Sequence, residues 1–254
     1  MHAAQITVVL TMGRVASTAV YRTINRRIGG RVYHVHSIDP KGLAAQARAG
    51  PSTPRHVCEG LQAARALLDC RGHVRIVTLV RDPVARNLSA AFARVRRGRD
   101  PDQLSMFIDD RAATGAFWQN FDDQEPFAWF DAEFRDVLGI DVYQRTFPKG
   151  GHTRIVEGRY DILIMRQELA DEVKSGQLAR FFNIPAMPIE LSNRKSRAGG
   201  ELHSHYERFK ATAALTPGYL EQVARSQYMR HFYPVDVEEY VNRWRAAGVC
   251  ESPE

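Results

Sequence analysis

The sequence predicts an α/β protein: a parallel sheet with helices on both faces and a helical C-terminal flank. Three observations carry this reading. Short apolar, β-branched runs alternate with helical periodicities over the first ninety residues. Two of those runs end in a turn of small or cationic residues that opens a helix. Beyond Pro188 the helical patterns continue without a convincing strand.

Gln5–Leu10, QITVVL, is too short for a helix and apolar enough for a strand buried on both faces. Ser17–Arg27 follows as a helix stopped by Gly29 and Gly30. Arg31–His36, RVYHVH, alternates as a second strand. Residues 40–70 carry two helical patterns split by the breaker run Gly50–Pro54, GPSTP. Val74–Val80 is the third and most apolar strand. Helical spacing covers Asn87–Arg97, Asp102–Ala113 and Glu125–Phe134. His152–Val156 and Asp161–Met165 read as a hairpin around Glu157–Tyr160, and Glu168–Phe182 as a helix. No linker-like stretch or internal repeat divides the chain. A single domain over 1–254 is expected, with a nucleotide-binding core of about 1–190 and a flank of about 191–254.

A chain of 254 residues with 44% hydrophobic and 25% charged content can bury an α/β core without staples. The net charge of +6 suits an anionic ligand but does not call for nucleic acid. The densest basic run, Arg94, Arg96, Arg97 and Arg99, has no interleaved aromatics and reads as a solvated helix face. Cys58, Cys70 and Cys250 have neither zinc-ligand nor disulfide-framework spacing, and Cys58 and Cys70 are expected to be small buried residues. No metal site is expected. Without a basic leader or an apolar run of membrane-spanning length, a cytoplasmic location is expected.

Chemistry concentrates at two strand ends. Thr11–Ala19, TMGRVASTA, follows the first strand, and Val80–Phe92, VRDPVARNLSAAF, follows the third. A strand–loop–helix junction aims backbone N–H groups and a helix N-terminus at one point, an arrangement suited to phosphate. In the first loop Gly13 permits close approach, Arg14 supplies a charged fork, and Ser17 and Thr18 add hydroxyls. A Walker A loop would need a second Gly and a Lys, and the third strand ends in Arg81 rather than an acidic metal ligand. In the second motif Asp82 and Pro83 suit a helix start, which leaves Arg81 and Ser89, eight residues apart, to converge on a second phosphate. Standing alone, either junction could equally be an ordinary capped helix start.

The two motifs together resemble those of PAPS-dependent sulfotransferases, over roughly the first 95 residues. That resemblance implies a P-loop-like three-layer sandwich with a central parallel sheet. It implies that 3′-phosphoadenosine 5′-phosphosulfate (PAPS) is held at its 5′-phosphosulfate by Gly13, Arg14, Ser17 and Thr18. Its 3′-phosphate would be held by Arg81 and Ser89. The run SNRKSRAGG is similar in part to a late Arg-Lys-Gly loop of that family, which adds Arg194 and Lys195 as cofactor contacts, with Ser196 in place of the Gly. DVYQRTF, YDILIMRQEL and QYMRHFYP resemble bacterial sulfotransferase-like proteins of the capsular-polysaccharide type. Phe147, Tyr143 and Trp118 are candidates for stacking on adenine.

Sulfuryl transfer requires a base for the acceptor proton, and a histidine suits that task near neutral pH. His34 and His36 share one face of the second strand. The pair resembles that of heparan-type 2-O-sulfotransferases, in which the second histidine is the proposed base. His36 lies nearer the strand's C-terminal end, where ligands of open α/β sheets bind, and on that match takes the role of base, the alternative being that both histidines are structural. Arg14 would offset charge on the bridging oxygen. The expected reaction is in-line transfer of a sulfuryl group to a hydroxyl, or an amine, of a saccharide, lipid or small metabolite. Two rivals stand beside it: an ATP-dependent P-loop-like phosphotransferase, and a catalytically inactive nucleotide- or glycan-binding module.

Overall fold

The computed structural model describes residues 6–48, 52–121, 124–185, 188–189 and 200–248. The chain forms two compact units, Met1–Arg81 with Ala128–Ser192, and Asp82–Phe127 with Asn193–Glu254.

The first unit holds a five-stranded sheet of β1 (Ile6–Leu10), β2 (Val32–Val35), β3 (Val74–Val80), β4 (His152–Glu157) and β5 (Tyr160–Arg166). The order is β2-β1-β3-β5-β4. All neighbouring pairs are parallel except β4 with β5. The hairpin expected from the sequence is that antiparallel edge. Only Gly158 and Arg159 separate its strands, and a two-residue turn can join only antiparallel neighbours. Val8, Val9, Leu10, Val74, Ile76 and Val77 are fully buried, as strands covered on both faces require.

Helix α1 (Ser17–Arg27) joins β1 to β2, and α2 (Pro40–Arg48) with α3 (Arg55–Asp69) joins β2 to β3. The first connection moves one way along the sheet, from β1 to β2, and the second moves back past β1 to β3. Right-handed crossovers therefore put α1 on one face of the sheet and α2–α3 on the other. Arg26 and Arg27 sit in the last turn of α1, where the helix dipole favours cations. The spans of α1 and β3 coincide with the sequence reading. After α7 (Glu125–Phe130) come a π-helical stretch, Asp131–Arg135, and the short α8 (Asp136–Leu138). Helix α9 (Asp171–Phe182) follows β5 and starts three residues later than expected.

The second unit is helical, with α4 (Pro83–Arg96), α5 (Pro101–Asp109) and α6 (Arg111–Gln119). Its C-terminal part supplies α10 (Glu201–Ala211), α11 (Pro217–Arg225), α12 (Gln227–Phe232) and α13 (Val237–Ala246). Asp82 caps α4 by accepting the Ala85 N–H at 3.1 Å, so the helix begins at the Asp82-Pro83 start read from the sequence, four residues ahead of the helical spacing from Asn87. The single helix expected over Asp102–Ala113 is two. Asp110 turns the chain and accepts the N–H groups of Ala112 and Ala113, which ends one helix and caps the next. Ala91, Phe92, Val95, Leu104, Ile108 and Phe209 form this unit's core, with Trp118 stacked on Phe209 at 5.1 Å. Cys70 is buried as expected, but Cys58 is exposed, because α3 turns its buried face through Val57, Gly60 and Ala64 instead. Among the described residues no helix is long and apolar enough to cross a membrane.

Candidate functional site

β1 and β3 are adjacent parallel strands, so the loop after Leu10 and the residue after Val80 emerge side by side at their carboxyl ends. Within that loop Arg14 (φ 71°) and Ala16 (φ 58°) are left-handed, while Val15 between them is not. Backbone that alternates in hand turns successive N–H groups toward a common concavity, the nest geometry that holds anions. Two non-glycine residues in this region cost on the order of 1 kcal/mol each or more, a strain that accumulates at ligand sites. Ala16 is also the N-cap of α1, and being an alanine it offers the helix no side-chain cap. Gly13, at the start of the loop, is not one of the left-handed residues.

Arg81 reaches back across the strand ends and donates from Nη1 to the Arg14 carbonyl at 2.8 Å. Asp82, the next residue, accepts from Arg243 at 2.6 Å and from the Tyr240 hydroxyl at 3.2 Å within the second unit. Arg14 and Thr18 are exposed, whereas Val15 and Ser17 are buried. Ser89 is half-buried on α4, in the second unit. Arg194 and Lys195 lie outside the described residues.

The two histidines have different surroundings. β2 pairs with β1 in the register Val9↔His34, which brings His36 level with Thr11. The His34 Nε2 is hydrogen-bonded to the Ser17 hydroxyl at 2.8 Å, and its ring stacks on Tyr21 at 4.9 Å. Burial, reinforced by His36 nearby, lowers its pKa to about 4, so it is neutral at physiological pH. His36 is exposed, and its Nδ1–H donates to the Thr11 carbonyl oxygen at 2.7 Å. A carbonyl can only accept, so neutral His36 carries its proton on Nδ1 and an accepting lone pair on Nε2. The two rings meet edge to face, 5.6 Å apart.

Two residues the sequence did not single out support this strand end. The Trp129 Nε1–H donates to the His36 carbonyl at 2.8 Å, and the Glu133 carboxylate accepts the Ile38 N–H at 2.6 Å. Burial raises the Glu133 pKa against the opposing pull of the Ile38 and Ser37 hydrogen bonds, and the charge on Asp39 raises it further. No local signal could have found contacts spanning more than ninety residues, although a π-helical turn commonly marks a functional segment. Behind His34, a polar cavity of about 330 Å³ opens along the free edge of β2, lined by Tyr21, Arg31, Arg55, Glu59 and Gln62 among others.

Of the adenine candidates, Tyr143 packs edge-on against Phe130, Phe147 lies under the Arg166 guanidinium, and Trp118 is half-buried against the core of the second unit. Among the described residues no cluster of three or more His, Cys, Asp or Glu is placed to hold a metal ion.

Fold and site together define an α/β protein with a strained strand–loop–helix junction at a sheet end and an oriented imidazole beside it. Residues 115–234, just under half of the chain, match the NKWYS family, described as "Putative capsular polysaccharide synthesis protein". The matched segment is thus similar to a family connected with capsular polysaccharide. It includes Trp129 and Glu133 but neither strand-end motif. No curated protein and no solved structure matches the chain.

Proposed function

We propose that this chain is a sulfotransferase that moves a sulfuryl group from PAPS to a hydroxyl, or an amine, of a saccharide. The observation that carries the reading is the strained Arg14–Ala16 loop at the uncapped start of α1, with the proton-accepting edge of His36 one strand away. The sequence resemblance supplies the nucleotide, and the polysaccharide family supplies the class of acceptor.

The residues present fit such a nucleotide. Alternating-hand backbone and a helix N-terminus without a side-chain cap from Ala16 suit a phosphosulfate, and the exposed Arg14 adds a guanidinium to the loop. When bound, PAPS would supply the sulfuryl group together with a stable bisphosphate leaving group. Arg14 and the loop amides would offset charge developing on the bridging oxygen. Arg14 stays protonated throughout, since a guanidinium pKa exceeds ~12, so its part is electrostatic rather than acidic. The His36 Nε2 would take the acceptor proton, with the Thr11 carbonyl stabilising the imidazolium that forms. Ser17, first read as a phosphate contact, is hydrogen-bonded to His34 and would act mainly through its backbone N–H. The cavity along β2 sets guanidinium, carboxylate and amide groups beside a tyrosine, chemistry that suits a sugar's hydroxyls and apolar face.

The test is transfer of label from sulfur-labelled PAPS to a panel of saccharides. Label on a saccharide, with turnover depressed more than nucleotide binding in Arg14→Ala, supports the proposal. Magnesium-dependent ATP turnover that ignores PAPS would replace it.

A further inference from the structure

The peptide segment that carries His36 is gripped from a remote part of the sequence. Trp129 donates to the carbonyl of His36 itself, and Glu133, four residues on, accepts the N–H of Ile38 and is also hydrogen-bonded to the Ser37 side chain. Both side chains are almost wholly buried, at 5% and 4% exposure. From the α3 side Gly60 closes on the same segment: a Cβ there would lie 2.9 Å from the Ser37 carbonyl oxygen. A buried carboxylate is costly unless its hydrogen bonds are needed where it sits. Here they satisfy backbone that has just left β2 and has no strand partner.

We infer that Trp129 and Glu133 are positioning residues for His36, holding residues 36–38 so that the His36 Nδ1–H stays on the Thr11 carbonyl and Nε2 stays free to accept a proton. The geometry stands by itself, and its catalytic meaning rests on the proposed role of His36. The grip fixes a tautomer as well as a position, because losing the Thr11 contact would release the imidazole to the Nε2–H form that an unheld ring favours. The π-helical stretch Asp131–Arg135 contains Glu133, and its extra residue per turn sets how that side chain faces relative to Trp129.

The test is histidine ring ¹⁵N NMR on the full chain at mildly alkaline pH, where the rings are neutral. The wild-type protein should show His36 as the Nδ1–H tautomer. Trp129→Phe, which keeps the ring but loses the donor, and Glu133→Ala should both shift His36 toward the Nε2–H form. Glu133→Gln, whose amide oxygen still accepts, should retain the wild-type tautomer. Label transfer should fall about 10- to 100-fold in the first two variants, with affinity for the bisphosphate product unchanged. Should Glu133→Ala fail to fold, Trp129→Phe and Glu133→Gln decide. A tautomer unchanged in Trp129→Phe overturns the inference. A shifted tautomer with undiminished transfer upholds the grip and removes His36 as the base. An unshifted tautomer, with transfer abolished in His36→Ala, keeps the base and removes the grip.

Discussion

The His34 Nε2 and the Ser17 hydroxyl lie 2.8 Å apart, joining the middle of β2 to the first turn of α1. This contact ties the strand that leads to His36 to the helix whose N-terminus belongs to the proposed anion cradle. The ring next to His36 is neutral, since burial and the neighbouring imidazole lower the His34 pKa to about 4. A second cation beside the proposed base is thereby avoided.

Acid should weaken the fold through His34. The unfolded chain takes up this proton near pH 6.5 and the folded chain only near 4, so stability present above 6.5 is lost as pH falls between them. The loss amounts to roughly 3 kcal/mol at most, by the size of the shift. Glu133, whose pKa is raised, works in the opposite sense over part of that window. The measure is therefore the difference between the wild-type protein and His34→Gln in denaturant melts from pH 7 to 4. The wild-type protein should lose more stability than the variant, and parallel curves would show that His34 is not buried in neutral form.

Gly60→Ala should destabilise the protein even though Ala favours a helix by about 1 kcal/mol. The added Cβ would stand 2.9 Å from both Leu43 methyl groups and from the Ser37 carbonyl oxygen. The leucine can rotate away but the carbonyl is fixed, and overpacking of this kind costs about 1–3 kcal/mol. Thermal melting should show a fall of a few degrees, about 2–4 °C for each kcal/mol of net loss. A rise would mean that the segment after His36 yields freely.

The sheet and the first loop were legible because their signals are local. The β-branched runs bounded by Gly, the Ser17 start of α1 and the Asp82-Pro83 start of α4 each declare themselves within a few residues. The break at Asp110 was hidden, since apolar spacing runs on across a capping aspartate. Cys58 was misplaced because a helix face cannot be assigned from a small residue alone. The supports of His36 were out of reach, for Trp129 and Glu133 meet it only through the fold. The same holds for Ser17: as a residue it reads as a phosphate donor, and only the β1–β2 register shows that it faces His34.

The paired histidines should separate in turnover. His36→Ala removes an accessible, tautomer-fixed acceptor, and loss of a general base costs about 100- to 10,000-fold in rate. His34→Ala should cost less in rate and more in stability, since it removes a stacked ring and the partner of Ser17. Label transfer and thermal melts on both variants check this. An inactive His34→Ala beside an active His36→Ala would reverse the roles.

The cradle proposed at the ends of β1 and β3 should recognise an adenosine nucleotide phosphorylated at both ends. Titration calorimetry of 3′-phosphoadenosine 5′-phosphate against AMP tests it without an acceptor. Arg81, at the end of β3, is the residue to which the resemblance assigns the 3′-phosphate, and a charge-assisted hydrogen bond contributes about 1.5–3 kcal/mol. The account predicts that the bisphosphate binds about 10- to 150-fold more tightly than AMP, and that Arg81→Ala removes most of the difference. Equal affinity for the two nucleotides, or no binding of either, would contradict it.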